Sequence, residues 1–173
     1  MIYPIRILLL LSISLLMTGC VSLPDGVTPV TDFDSQRYVG KWYEIARLDN
    51  RFERGLSKVT ASYAVRADGG IDVVNRGYKT GEVVPSEAIG KAYSVGAADT
   101  AHLKVSFFGP FYASYVVFYL DSDYQFAFVS GNSRKYLWLL SRTPAIDESV
   151  KELFLNQARS LGFDVSKLVW VEQ

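Results

Sequence analysis

The sequence predicts an all-β domain: an up-and-down meander of antiparallel strands that closes as a barrel or packs as a sandwich, with one C-terminal α-helix. Three observations predict it. Short runs of alternating apolar and polar residues recur from residue 38 onward, as half-buried strands require. Turn signals separate the runs at regular intervals. The period then changes once, from two residues to 3.6, after Pro144.

In chain order, Tyr38 to Asp49 opens the series. Residues 58–66 alternate, with Val59, Ala61, Tyr63 and Val65 on one face. Ala67-Asp68-Gly69-Gly70 is a hairpin turn, after which Ile71, Val73 and Asn75 share the next face. Further strands are predicted over 87–96, 102–108, 113–120, 125–131 and 135–142, with Asp121-Ser122-Asp123 and Gly131-Asn132-Ser133 as turns. Val150, Leu153, Phe154, Gln157, Ala158 and Leu161 then fall at helical spacing over 147–161, and Gly162 is a stop signal. The apolar stripe of that helix is expected to pack on the outside of the strands. A short last strand is expected over 167–171.

The first nineteen residues read as an export signal. Arg6 is followed by an apolar run over residues 7–17, which at eleven residues is too short to span a bilayer, where about 20 are needed. Leu16-Met17-Thr18-Gly19-Cys20 resembles the lipobox of bacterial lipoproteins, with Met17 where Leu is usual. That resemblance implies cleavage before Cys20 and acylation of it. An ordinary secretory signal leaves Cys20, the only cysteine in the chain, without a use. Val21 follows, not the Asp that marks inner-membrane retention, so an outer-membrane address is expected. Residues 20–33, with Pro24, Gly26 and Pro29, read as the lipidated cysteine and a tether, and 34–173 as one domain. Several acyl chains anchor stably where one binds only marginally.

Removing Arg6 leaves 17 basic residues against 18 acidic ones, so no basic excess exists to hold nucleic acid by its phosphates. Eleven Tyr, ten Phe and three Trp fit either a packed β core or a hollow lined with rings.

Gly40-Lys41-Trp42-Tyr43-Glu44-Ile45-Ala46-Arg47 resembles the opening G-x-W motif of the lipocalins. Asp121-Ser122-Asp123-Tyr124 resembles their second motif, with Ser for Thr, and Leu140-Ser141-Arg142 their third. Order and spacing match over residues 33–173. Arg51-Phe52-Glu53-Arg54-Gly55-Leu56, Lys104-Val105-Ser106-Phe107-Phe108-Gly109-Pro110-Phe111 and Phe163-Asp164-Val165-Ser166-Lys167 are similar to the bacterial outer-membrane lipoprotein lipocalins of the Blc type, whose animal relative is apolipoprotein D. The resemblance makes the barrel specific: an eight-stranded up-and-down lipocalin barrel with the helix packed outside. It also implies binding of fatty acids or lysophospholipids, a role in membrane maintenance under stress, and a possible homodimer. A structural lipoprotein with a filled barrel, binding only protein partners, is the alternative.

The resemblance places Gly40, Trp42, Tyr124 and Arg142 at the closed end. There Arg142 is expected to stack on Trp42 and donate to backbone carbonyls, a structural role. Tyr63, Asn75 and Trp138 match cavity positions of the apolipoprotein D pattern. Strand parity adds Val105, Phe107, Val117, Tyr119 and Tyr136 as ligand-lining candidates. Asn75 is the sharpest of these, because an amide facing an apolar interior is costly unless it bonds something. Arg51, Phe52 and Arg54, with Phe108, Phe111 and Tyr112, are expected at the open end. Guanidinium groups there suit a phosphate headgroup.

No catalysis, cofactor or metal is expected. His102 is the sole histidine and its parity is opposite to Leu103 and Val105, hence outward. No second histidine, free cysteine or G-x-S-x-G elbow accompanies it.

Overall fold

A computed structural model describes residues 21–173; the predicted signal and Cys20 lie outside the described residues. Eight strands form the barrel: β1 (Gly40–Leu48), β2 (Leu56–Val65), β3 (Ile71–Lys79), β4 (Ser86–Ser94), β5 (His102–Phe108), β6 (Phe111–Leu120), β7 (Phe126–Ser130) and β8 (Leu137–Ser141). Each pairs antiparallel with the next. The pairing of β8 with β1, and of β1 with β2, closes the sheet on itself. Closure leaves no strand edge to aggregate.

A ninth strand, β9 (Leu168–Trp170), sits where β1 and β2 part. β1 pairs with β2 only over Gly40–Tyr43, and Ala46–Leu48 pair instead with β9. The chain end completes the seam. The Lys58 N–H donates to the Glu172 carbonyl at 2.6 Å, and the Gln173 side chain donates to the Glu44 and Val59 carbonyls.

Four strand pairings carry a one-residue register shift, and two of these bulges, in β1 and β6, change which of the expected side chains enter the barrel. The β1–β8 register shifts between Glu44 and Ala46, so Ile45 is extra and both Ile45 and Ala46 face outward. Glu44 lies opposite Leu140 and Arg47 opposite Trp138, and both therefore point inward. The β6–β7 register shifts between Val117 and Tyr119, so Phe118 is extra. A slip of one residue sends every following side chain to the other face.

The second bulge corrects one expectation from parity. Tyr119 is outside the barrel: it stacks on Phe128 at 4.5 Å within the cluster that α2 covers, and it lines no interior space. Leu120 takes the inward place.

Helix α1 is one turn, Ser35–Tyr38, capped by the Asp34 carboxylate accepting from the Gln36 N–H at 2.8 Å. Helix α2, Glu148–Ser160, buries Val150, Phe154 and Ala158, an i, i+4, i+8 stripe. Phe154 meets Phe128 edge-on at 5.1 Å, and Leu137 and Leu139 of β8 complete the layer between helix and barrel. Gly162, at φ +80°, ends the helix.

The segment expected to be a tether packs against the barrel for most of its length. Val27 is buried in the helix-side cluster and Phe33 in the closed-end cluster. Val30 exchanges backbone hydrogen bonds with Val117 and Ala101. The Ser22 carbonyl accepts from the Ser114 hydroxyl at 2.8 Å. His102 points outward as expected, yet it is buried beside Ser114 and the Val21 backbone, and burial depresses its pKa.

Candidate ligand site inside the barrel

The floor of the barrel is a plug. Trp42 is fully buried, and its indole N–H donates to the Tyr38 carbonyl at 2.8 Å. The Arg142 guanidinium lies 3.9 Å from the Trp42 ring centroid and donates to the carbonyls of Tyr124, Lys41, Arg37, Tyr38 and Val39. One planar cation thus satisfies the end of α1 and the start of β1 together. Gly40 has φ +100°, and a Cβ there would meet Arg142 at 3.3 Å, so both conformation and space favour glycine. The Tyr124 hydroxyl accepts from the Asp34 N–H, and the Arg37 guanidinium covers its ring at 4.1 Å.

Above the plug three tyrosines meet. The Tyr115 hydroxyl is 2.6 Å from that of Tyr38 and 3.0 Å from that of Tyr63. Burial is the main cause that raises the pKa of all three, and they stay neutral. Asn75 faces the interior next to this group, opposite Ala61 on β2 and Ala88 on β4. Its side-chain oxygen is buried and has no hydrogen-bond partner. The tyrosine hydroxyls bond one another and leave that oxygen free.

Higher up stands a charged cluster that strand parity in the sequence did not reveal. Arg47 is 2% exposed and Glu44 4%. Their side chains pair at 2.7 Å, and Arg47 also donates to the carbonyls of Glu53 and Leu56. Glu53, from the β1–β2 loop, turns inward. Its carboxylate accepts from the Trp138 indole N–H at 3.0 Å and from the Asn50 amide. Burial first, then the Glu53 charge and a hydrogen bond with it, hold the Glu44 pKa well above the usual carboxylate range, with Arg47 opposing. Glu44 is thereby held toward its protonated form.

Tyr63, Asn75, Val105, Phe107, Tyr136 and Trp138 all point inward and are half-buried. The ring of Tyr136 stacks on Trp138 with centroids 6.1 Å apart. Val117 also faces inward, but it is fully buried between Trp42, Tyr124 and Leu140. It packs the plug and offers no surface to a ligand, which corrects its expected lining role. Arg51, Phe52, Arg54 and Phe111 lie at the opposite end from the plug, since every antiparallel strand turns there. Arg51 covers the exposed Phe52 ring at 4.7 Å, while Arg54 is paired with Asp49 at 2.7 Å.

Two missed residues carried a signal. Tyr115 shares the parity of Val117, and Glu44 that of Trp42. Arg47 carried none, because its inward turn depends on the bulge at Ile45.

A lipocalin-like domain model matches residues 33–173. The chain is 53% identical over 169 residues to a Vibrio cholerae protein named outer membrane lipoprotein Blc, covering 97% of this chain and 99% of that one. It is 56% identical over 150 residues to the Escherichia coli K12 protein of the same name, covering 87% and 85%. Among solved structures, insecticyanin from the tobacco hornworm Manduca sexta matches at 21% identity and a TM-score of 0.70, over 88% of this chain and 87% of that one, which supports the fold. With the family model spanning the whole barrel and its helix, the chain belongs to the lipocalins.

Proposed function

We propose that this lipocalin holds the acyl chain of a fatty acid or lysophospholipid in its barrel, storing or transporting it for membrane maintenance under stress. An acylated Cys20 keeps it at the outer membrane, facing the periplasm. It binds and does no chemistry. The names of the Vibrio and E. coli relatives support the location.

One observation carries the reading. Tyr63, Val105, Phe107 and Trp138 point into the barrel yet keep exposed surface, which supports an open interior beneath its mouth. A barrel filled by its own side chains would bury them, as it does Val117 and Leu140. The lining is apolar and aromatic, and each methylene buried there yields about 0.8 kcal/mol. A sixteen-carbon tail grosses ~12 kcal/mol before association and ordering costs, leaving affinity near micromolar, or ~8 kcal/mol. The free Asn75 oxygen accepts one hydrogen bond from a ligand hydroxyl or protonated carboxyl.

The test is titration of the unacylated mature chain with a fluorescent fatty acid, followed by Trp quenching and by competition with lysophosphatidylethanolamine. Saturable binding that weakens at least tenfold in Trp138→Ala is expected. No saturable binding overturns the carrier reading and leaves the filled, partner-binding barrel.

A further inference from the structure

Five of the six most exposed large apolar side chains among the described residues gather at one end of the molecule, the sixth being Ile89 on the outer face of β4. Val83 is 90% exposed, Phe111 76%, Phe108 74% and Val84 69%, with Phe52 at 62%. They come from three separate connections, β1–β2, β3–β4 and β5–β6, which antiparallel order places together around the barrel mouth. Nothing among the described residues covers them, and an apolar rim of this kind marks an interaction surface.

The start of the described chain indicates what covers the rim. Ser22 is fixed to Ser114. Ser114 lies three residues along β6 from Phe111, about 10 Å at a strand's rise. Only Val21 separates Ser22 from Cys20, a reach of at most ~7 Å over the two steps. Asp25 is fixed as well, its carbonyl accepting from Arg134 of the β7–β8 connection at 2.6 Å. The anchor therefore leaves the flank of the barrel on the mouth half, with almost no free tether. A bilayer holding that anchor lies within reach of the rim and far from the plug.

We propose that the rim residues Phe52, Val83, Val84, Phe108 and Phe111 dock on the surface of the bilayer that holds the anchor. The barrel then stands mouth-down and a lipid passes between bilayer and cavity without crossing water. Arg51, lying over Phe52, suits this placement, with its guanidinium level with lipid phosphates while the ring enters the acyl boundary. The proposal rests on the lipid-anchored reading above.

Acylation of Cys20 makes Phe111→Cys the only free thiol in the mature chain. The acylated full-length protein, labelled there with an NBD dye, is reconstituted into phosphatidylethanolamine–phosphatidylglycerol vesicles with and without doxyl-labelled lipids. Ala67→Cys in the β2–β3 turn at the plug end is the control. We expect a blue-shifted emission at position 111 that doxyl lipids quench, with the dye at 67 remaining aqueous and unquenched. Protein that floats with vesicles while both dyes stay aqueous keeps the anchor and overturns the docking. A blue shift at 111 that doxyl lipids do not quench means a second copy covers the rim, and overturns it too. Protein that fails to float removes the anchor, and the orientation with it.

Discussion

Glu44 shows at the scale of one residue how position sets chemistry. Burial and the neighbouring Glu53 charge keep it protonated well above the range where an unfolded glutamate ionises. The folded state therefore binds the extra proton. Below about pH 4.5, where both states hold it, Glu44 exacts no penalty. As pH rises from there toward the raised folded value, the unfolded chain loses its proton first and stability falls. Glu44→Gln copies the protonated carboxyl and keeps a donor for Glu53. It should melt like wild type near pH 4.5 and be more stable at pH 8, by at least about 1 kcal/mol. Thermal melts across that range check this, and a constant difference would contradict the raised Glu44 pKa. Glu44→Ala instead leaves the buried Arg47 Nη1 without its acceptor and should cost ~1–3 kcal/mol. The inward parity of Glu44 was legible from Trp42. Its partnership with Arg47 was not, since no pattern in residues 40–48 announces that Ile45 bulges.

At the scale of elements, periodicity located seven barrel strands and the helix to within about two residues, and the start of β3, because each buries one face and the alternation follows. What periodicity could not see were the interruptions. The bulge at Phe118 carried Tyr119 out of the barrel, and the departure of β1 from β2 created a place for the chain end. The segment before residue 33 looked like a linker because its prolines and glycine hide three isolated apolar contacts, at Val27, Val30 and Phe33. The chain end gives a test at this scale. Val171 and Gln173 bond to β1 and β2, and Glu172 accepts from Lys58, at the one place where the barrel seam lacks direct strand pairing. Deleting residues 168–173 should lower the melting temperature by several degrees, with each ~1 kcal/mol shifting it by roughly 2–8 °C. Amide exchange should accelerate at Lys58 and Leu48 before it does along β6. Uniform acceleration would mean that β9 supports the whole barrel and not the seam.

Over the whole molecule the two ends divide the work. The plug end is dry and saturated with hydrogen bonds: Trp42, Tyr38 and Val117 are buried, and Arg142 accounts for five carbonyls. Above it the lumen keeps half-buried rings and an unpartnered Asn75 oxygen, and the mouth carries exposed apolar tips. Stability and binding should therefore respond to different tryptophans. Trp42→Ala empties the plug and strips Arg142 of its ring, and should cost ~3–5 kcal/mol of stability, while the folded fraction binds fatty acid with near wild-type affinity. Trp138→Ala removes a half-buried ring from the lumen wall together with its bond to Glu53. It should cost clearly less stability than Trp42→Ala, yet weaken binding at least tenfold, which is about 1.4 kcal/mol. The two share no hydrogen-bond or ring partner, so the double variant should lose stability as the sum of the singles, to within ~0.5 kcal/mol. Denaturant melts and ligand titrations on all three proteins give both quantities. Non-additivity well beyond that margin would mean that plug and lumen form one cooperative core, and a lipid in the barrel would then have to stabilise the closed end as well.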